Sequence, residues 1–217
     1  MSSNVRWKIA QTAELIWWKK YLNKKSPSEY LLWKSQYWLN LLEKIGLQKI
    51  DFLSNAILDL GCGPAGIFMV FKNAKLTAVD PLLNKYDSNL PLFKKSKYPN
   101  VDFCPVSIES FNSSKTFDYV FCLNAINHVA DLKVSFDKMV ECLSPNGKLI
   151  VSIDTHNSSF LKQIFRLLPG DILHPHQYDL KEYAEMITQR NCTINQTLLY
   201  KKESIFNYYI IVAVKNG

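Results

Sequence analysis

Between Ala56 and Gly66 the chain reads AILDLGCGPAG, and these residue types suit one task, bringing a backbone turn up against a ligand. Ile57, Leu58 and Leu60 form a short buried-strand pattern. Gly61 and Gly63 let the chain turn sharply and present no Cβ to collide with a bound molecule. Pro64 and Ala65 mark a helix start, because proline is tolerated at the first helical position. Asp80 follows at the end of a second strand pattern, KLTAVD. In α/β nucleotide sites an acid about 20 residues beyond the glycine turn accepts hydrogen bonds from ribose hydroxyls. A carboxylate can take two at once. His128, His156, His174 and His176 all lie in the carboxyl-terminal half. Imidazole titrates near neutrality, which suits it to deprotonating a hydroxyl or an amine.

Gly61, Gly63 and Gly66 also satisfy the G-x-G-x-x-G dinucleotide fingerprint, so the turn does not by itself choose a cofactor. Two residues argue against a nicotinamide. Asp59 places a carboxylate close to where a pyrophosphate would sit, and like charges repel. Pro64 deletes one of the N–H groups that a pyrophosphate wants. A ligand carrying an amino group fits this mouth better.

LDLGCGPAG resembles the first motif of the class I S-adenosylmethionine-dependent methyltransferases, and LSPNGKLIVSI resembles a late motif of that family. The resemblance covers residues 50–217 and implies a fold. It is an α/β, seven-stranded Rossmann-like sheet, mostly parallel with an antiparallel C-terminal hairpin, here preceded by an N-terminal helical lid. It also implies S-adenosyl-L-methionine as cofactor. The cofactor would be held by Asp59, Gly61, Cys62 and Gly63 at the turn, and by Asp80, Pro81 and Leu82 after the second strand. Ser107, Ile108 and Glu109 would flank adenine, although the family often has Asp at the position of Ser107. Leu123 and Asn124, at the end of the fourth strand, would lie under the methionine part. The stretch from Asn124 departs from the N-P-P-Y and D-P-P-Y signatures of enzymes acting on amide or exocyclic amino nitrogens. That departure counts against adenine and glutamine as acceptors.

The elements that must position these residues can be read in order. Residues 4–23 carry apolar positions at helical spacing. A second helix is expected from an N-cap at Ser28 to about Ile45, ended by Gly46. Strand 57–60 should lead into a helix over 67–72. Strands at 75–80, 101–105, 116–123 and 148–153 follow, with a Lys- and Pro-rich loop at 84–99 that has room for some helix, and a turn at 144–147. Helices are expected over 131–143 and 160–168. Another should start at Asp179, whose spacing to Glu182 predicts a capping box. Two closing strands, 193–200 and 206–214, complete the chain. Division into a helical cap (1–49) and a catalytic domain (50–217) follows.

All five tryptophans lie in the first two helices. Their rings either fasten the helices to the sheet or form a lid over the site, with Trp33 and Tyr37 lining the acceptor pocket. A membrane-surface helix is a third account of the shared Lys and Trp content. His176 and His128 are the first candidates for a catalytic base, and His174 and His156 for contact with the acceptor. No metal is expected, because the H-P-H spacing drives the two rings apart.

At 217 residues and 47% apolar composition, the chain can bury a substantial core. The five cysteines lie singly with no C-x-x-C, which fits a reducing cytoplasm. No apolar run reaches the roughly 20 residues that span a bilayer, and no signal peptide is evident. The net charge is +7, yet only Arg6, Arg166 and Arg190 among the 26 basic residues are arginines. Arginine is the residue for bidentate phosphate contacts, so a nucleic-acid partner is disfavoured. The expected function is methyl transfer from S-adenosylmethionine to O or N of a small, partly apolar metabolite. The alternatives are a tRNA or rRNA methyltransferase, a non-catalytic cofactor-binding protein of the same fold and, more distantly, a nicotinamide oxidoreductase.

Overall fold

The computed structural model describes residues 3–23, 25–156, 178–202 and 206–217. Two helices, α1 (Ser3–Leu22) and α2 (Pro27–Lys44), precede a seven-stranded sheet. Its strands are β1 (Ile57–Leu60), β2 (Leu76–Val79), β3 (Val101–Cys104), β4 (Phe117–Cys122), β5 (Leu143–His156), β6 (Cys192–Lys202) and β7 (Phe206–Lys215). Helices α3 (Leu83–Asn89), α4 (Leu132–Glu141) and α5 (Leu180–Thr188) connect them. The strand order is β3-β2-β1-β4-β5-β7-β6. Pairing is parallel from β3 through β5 and antiparallel where β7 meets β5 and β6. Chain order reverses between β1 and β4, and such a switch point opens a crevice at the carboxyl ends of the strands.

Alternation along the strands sends side chains to two cores. Ile57, Tyr119, Phe121, Ile150 and Ile210 face the side covered by α2. Leu58, Val120, Leu149, Val151 and Ile211 face α4 and α5. Both faces being covered explains the near-continuous apolar runs of β1 and β4. Tyr30, Trp38, Leu41 and Leu42 of α2 are buried in the first of these cores. Among the described residues, no helix is long and apolar enough to cross a membrane.

The structure corrects three details. Helix α2 begins at Pro27 with Ser26 as N-cap, not Ser28, because proline fits the first helical position. No α-helix follows β1. Two short 3₁₀ turns, Gly63–Ala65 and Ile67–Val70, stand there instead, split by Gly66 in an extended conformation. A Cβ at Gly66 would lie 2.5 Å from both Asp59 Oδ2 and the Cys62 carbonyl, so packing against Asp59 sets this break. The helix for which the stretch at 84–99 had room is α3, which begins one residue earlier at Leu83. Strand β5 begins at Leu143, yet its pairing with β4 skips from Leu143 to Lys148, so the expected turn survives as a bulge with Asn146 at φ 63°. The predicted capping box is present. Asp179 Oδ1 accepts from the Glu182 N–H at 2.9 Å, and Glu182 Oε2 accepts from the Asp179 N–H at 2.8 Å. The helix expected over 160–168 lies outside the described residues.

Candidate active site

Asp80 is the best-held polar group at the switch point. Its side chain is buried, and its two oxygens are fixed from opposite sides. Oδ1 accepts from the Leu82 N–H at 2.8 Å, and Oδ2 accepts from the Gly63 N–H at 3.0 Å. A carboxylate offers about four lone-pair sites, so each oxygen keeps capacity for one more donor. Burial raises its pKa to about 7, as does the nearby Glu14 carboxylate, against the two N–H groups that lower it. Leu82 is itself buried and contributes its backbone, while Pro81 lines the cavity beside Asp80.

The glycine turn packs closely on the end of β4. Gly61 has φ 66°, and a Cβ there would lie 2.3 Å from the Cβ of Ala125. Gly63 has φ 58°, and a Cβ there would meet the ring of Trp18 at 4.0 Å. The Gly61 and Cys62 N–H groups both donate to the Val79 carbonyl, which ties the turn to the end of β2. Cys62 is buried, and burial holds its thiol well above the usual range, so it packs and does not react.

Asp59 does not reach the mouth. It lies fully inside, where its Oδ2 accepts from the Phe68 N–H at 3.2 Å and holds the second 3₁₀ turn. Burial lifts its pKa to about 7, partly offset by the Phe68 and Ile67 N–H groups and by Lys34. Its part is therefore to shape the turn.

On the far side, Ile108 is buried and shares a cavity wall with Ser107 and Glu109. The Ser107 hydroxyl is 3.1 Å from that of Ser110. Glu109 Oε1 accepts from the Ala130 and Asp131 N–H groups at 2.7 and 3.2 Å, fixing the approach to α4. Asn124, two residues beyond β4, has a left-handed conformation, φ 56°, and its N–H donates to the buried Ser152 hydroxyl at 2.7 Å. Leu123 is buried beneath it. His128 is exposed and lines the cavity with Asp80, Glu109 and Asn124. His156 ends β5, and His174 and His176 lie outside the described residues. Among the described residues, no group of three or more His, Cys, Asp or Glu side chains is placed to hold a metal ion.

The sheet face toward α2 joins two residues that the sequence reading named, Trp33 and Tyr37, to groups that it passed over, Lys34 and Tyr208 among them. Asp154 of β5 is register partner to Tyr208 of β7, whose hydroxyl is buried near Ser152 and Tyr37. Asn127 exchanges hydrogen bonds with the Asp154 backbone at 3.2 and 3.3 Å and donates to the Tyr183 hydroxyl at 3.2 Å. Trp33 is 54% exposed and stacks on Tyr37, which in turn packs edge-on against Tyr200. Lys34 Nζ lies 4.1 Å from the Trp38 ring centroid and 4.6 Å from that of Tyr37. Burial lowers its pKa to about 8, opposed by the Asp59 charge. Isolated polar residues of this kind have no spacing signature, and only strand register brings them together.

The residues at the switch point suit an adenosyl group bearing an amino acid tail. Asp80 has spare acceptor sites for a diol, Ile108 offers an apolar wall, and Gly61 and Gly63 present no side chain while that of Cys62 is buried. Comparison with known proteins agrees. Residues 30–197 match the family described as "Methyltransferase domain". A ubiquinone biosynthesis O-methyltransferase of Rickettsia prowazekii is 25% identical over 168 residues, which cover 72% of this chain and 66% of that protein. The Rickettsia felis protein of the same name is 30% identical over 114 residues, covering 52% and 46%. The chain thus spans from under half to two thirds of the length of the curated relatives it matches. Among solved structures, magnesium protoporphyrin IX methyltransferase from Synechocystis, with bound S-adenosylhomocysteine, aligns over 100% of both chains at TM-score 0.67 and 13% identity. N-methyltransferase NodS from Bradyrhizobium japonicum aligns over 91% of both at TM-score 0.60 and 13% identity. At these identities the structural likeness speaks for the fold.

Proposed function

This chain belongs to the methyltransferase-domain family, and on that premise we propose that it methylates a small, partly apolar metabolite at oxygen or nitrogen. S-adenosylmethionine, when bound, supplies a methyl group activated on a sulfonium sulfur. Residues 50–217 form the catalytic unit and residues 1–49 its helical cap, acting in the cytoplasm. Oxygen is the favoured acceptor atom, supported by the O-methyltransferase names of the curated relatives.

The observation that carries this reading is the buried Asp80 carboxylate, held by Gly63 and Leu82 with acceptor capacity to spare beside the two glycines of the turn. Asp80 binds the ribose diol, Gly61 and Gly63 let the tail lie against the backbone, and Ile108 with Ser107 and Glu109 walls the adenine. Leu123 and Asn124 support the methionine end. Aligning a nucleophile and an electrophile in this way can supply roughly 7–11 kcal/mol of barrier lowering, so positioning is the protein's main contribution. A hydroxyl acceptor must also lose its proton, which we assign to His176 or His128. Trp33, Tyr37, His156 and His174 meet the acceptor.

Calorimetry with S-adenosylhomocysteine tests the cofactor assignment. Each of the two hydrogen bonds from the diol to this charged group contributes about 1.5–3 kcal/mol, so Asp80→Ala should weaken binding by at least ~150-fold. An unchanged affinity in that variant overturns the assignment. Single-turnover rates in His176→Ala and His128→Ala test the base, and two unchanged rates remove it.

A further inference from the structure

The adenosyl part of the site is filled from within the chain. Helix α1 runs across it and reaches down with successive side chains. The Tyr86 hydroxyl of α3 donates to Glu14 Oε1 at 3.0 Å. Glu14 lines the same cavity as Asp80 and stands close enough to oppose the ionisation of that carboxylate. One turn further along, the Trp18 ring covers Gly63. A second tether follows, from Lys19 Nζ to Asn89 Oδ1 at 2.8 Å. Between α1 and the floor there remains a cavity of only about 70 Å³, lined by Gln11, Glu14, Gly61, Asp80, Ile108 and Asn124 among others. Pockets for drug-sized and cofactor-sized ligands run to roughly 300–1,000 Å³. An adenosyl group and α1 in this position exclude one another.

We infer that α1 is a displaceable plug, which must leave the adenosyl site before the cofactor enters. The inference rests on the assignment of that cofactor to the Asp80 site. Its contacts suit a segment that holds and releases. Glu14 and Asp80 are two acidic groups lining one cavity, and among the described residues neither is in an ion pair. The outer face of α1 leaves Ile9, Ile16 and Trp17 39–49% exposed. A ligand that binds only the open form has its affinity reduced by the fraction of molecules that are open. The plug therefore sets the apparent cofactor affinity.

Two measurements on the full chain test this. Hydrogen exchange of the α1 amides should quicken when S-adenosylhomocysteine is added, because the ligand displaces the helix. Slower or unchanged exchange overturns the plug, slower exchange marking instead a lid that closes on its ligand. Lys19→Ala/Tyr86→Phe cuts both tethers to α3, and by calorimetry it should bind S-adenosylhomocysteine at least threefold more tightly than the parent. Trp18→Ala, which bares Gly63, should do the same by an independent route. Unchanged or weaker binding in both variants overturns the inference. If parent and variants all fail to bind, the cofactor assignment falls and the plug with it. If only the variants bind, both stand.

Discussion

Gly61 is the residue at which geometry leaves least choice. Its φ of 66° is one that side chains rarely adopt, and the Cβ it lacks would lie 2.3 Å from that of Ala125. Gly61→Ala should cost at least about 2 kcal/mol, from overpacking and backbone strain together. Adding Ala125→Gly removes the clash and leaves the strain, so the double variant should recover roughly half of the loss in urea unfolding. An equally unstable double variant would show that the contact with Ala125 is not the cause. This glycine was legible in the sequence, because a glycine-rich turn between apolar runs carries its own signature. Asp80 was legible for the same reason of spacing. Asp59 was only half so. Its presence at the strand end could be read, but its inward direction depends on the Phe68 N–H that it meets. Glu14, Tyr86 and Tyr208 had no signal at all. Each matters through a partner distant in the chain, which no local pattern encodes.

At the level of elements, the strands and most helices followed from apolar periodicity and caps, with α5 predicted down to its capping residues. Asp179→Ala should therefore cost about 1 kcal/mol, a typical N-cap loss, seen as a lower midpoint in urea. The crossover after β1 was misread because Ile67–Val70 is apolar enough for a helix, and the break comes from tertiary packing at Gly66. Helix α2 supports that crossover through a single polar contact, the buried Trp38 Nε1–H donating to the Ala65 carbonyl at 3.0 Å. Trp38→Phe keeps most of the apolar packing but leaves that carbonyl unpaired, at a cost of about 1–3 kcal/mol. The glycine turn should loosen with it. We expect the KM for S-adenosylmethionine to rise severalfold with kcat little changed, since Trp38 touches the turn and no reacting group. A fall in kcat alone would place Trp38 at the acceptor.

Across the whole molecule, the charges buried on the α2 side of the sheet oppose folding as the pH rises. Asp59 and Asp80 both have native pKa values raised to about 7, by burial first, and burial also raises Glu14. In the unfolded chain these groups return to the ordinary carboxylate range near 4. Between these limits the native state binds more protons than the unfolded state, so stability falls with rising pH. The slope approaches ~1.4 kcal/mol per pH unit for each such group. Below about pH 4 there is no penalty, and above about pH 7 the loss is complete. Asp59 isolates the effect because it lies apart from the ligand surface, with Lys34 as its opposing charge. Asn at position 59 keeps an oxygen for the Phe68 N–H but cannot ionise. The stability of Asp59→Asn relative to the parent should thus climb steadily from pH 4 to pH 7 and then level off, measured by urea unfolding at each pH. Groups remote from position 59 are common to both chains and cancel in the difference, whereas Lys34 and Asp80 feel the Asp59 charge and change with it. A flat difference would mean that Asp59 ionises at its ordinary pKa, and the account of a carboxylate buried to hold the turn would fall with it.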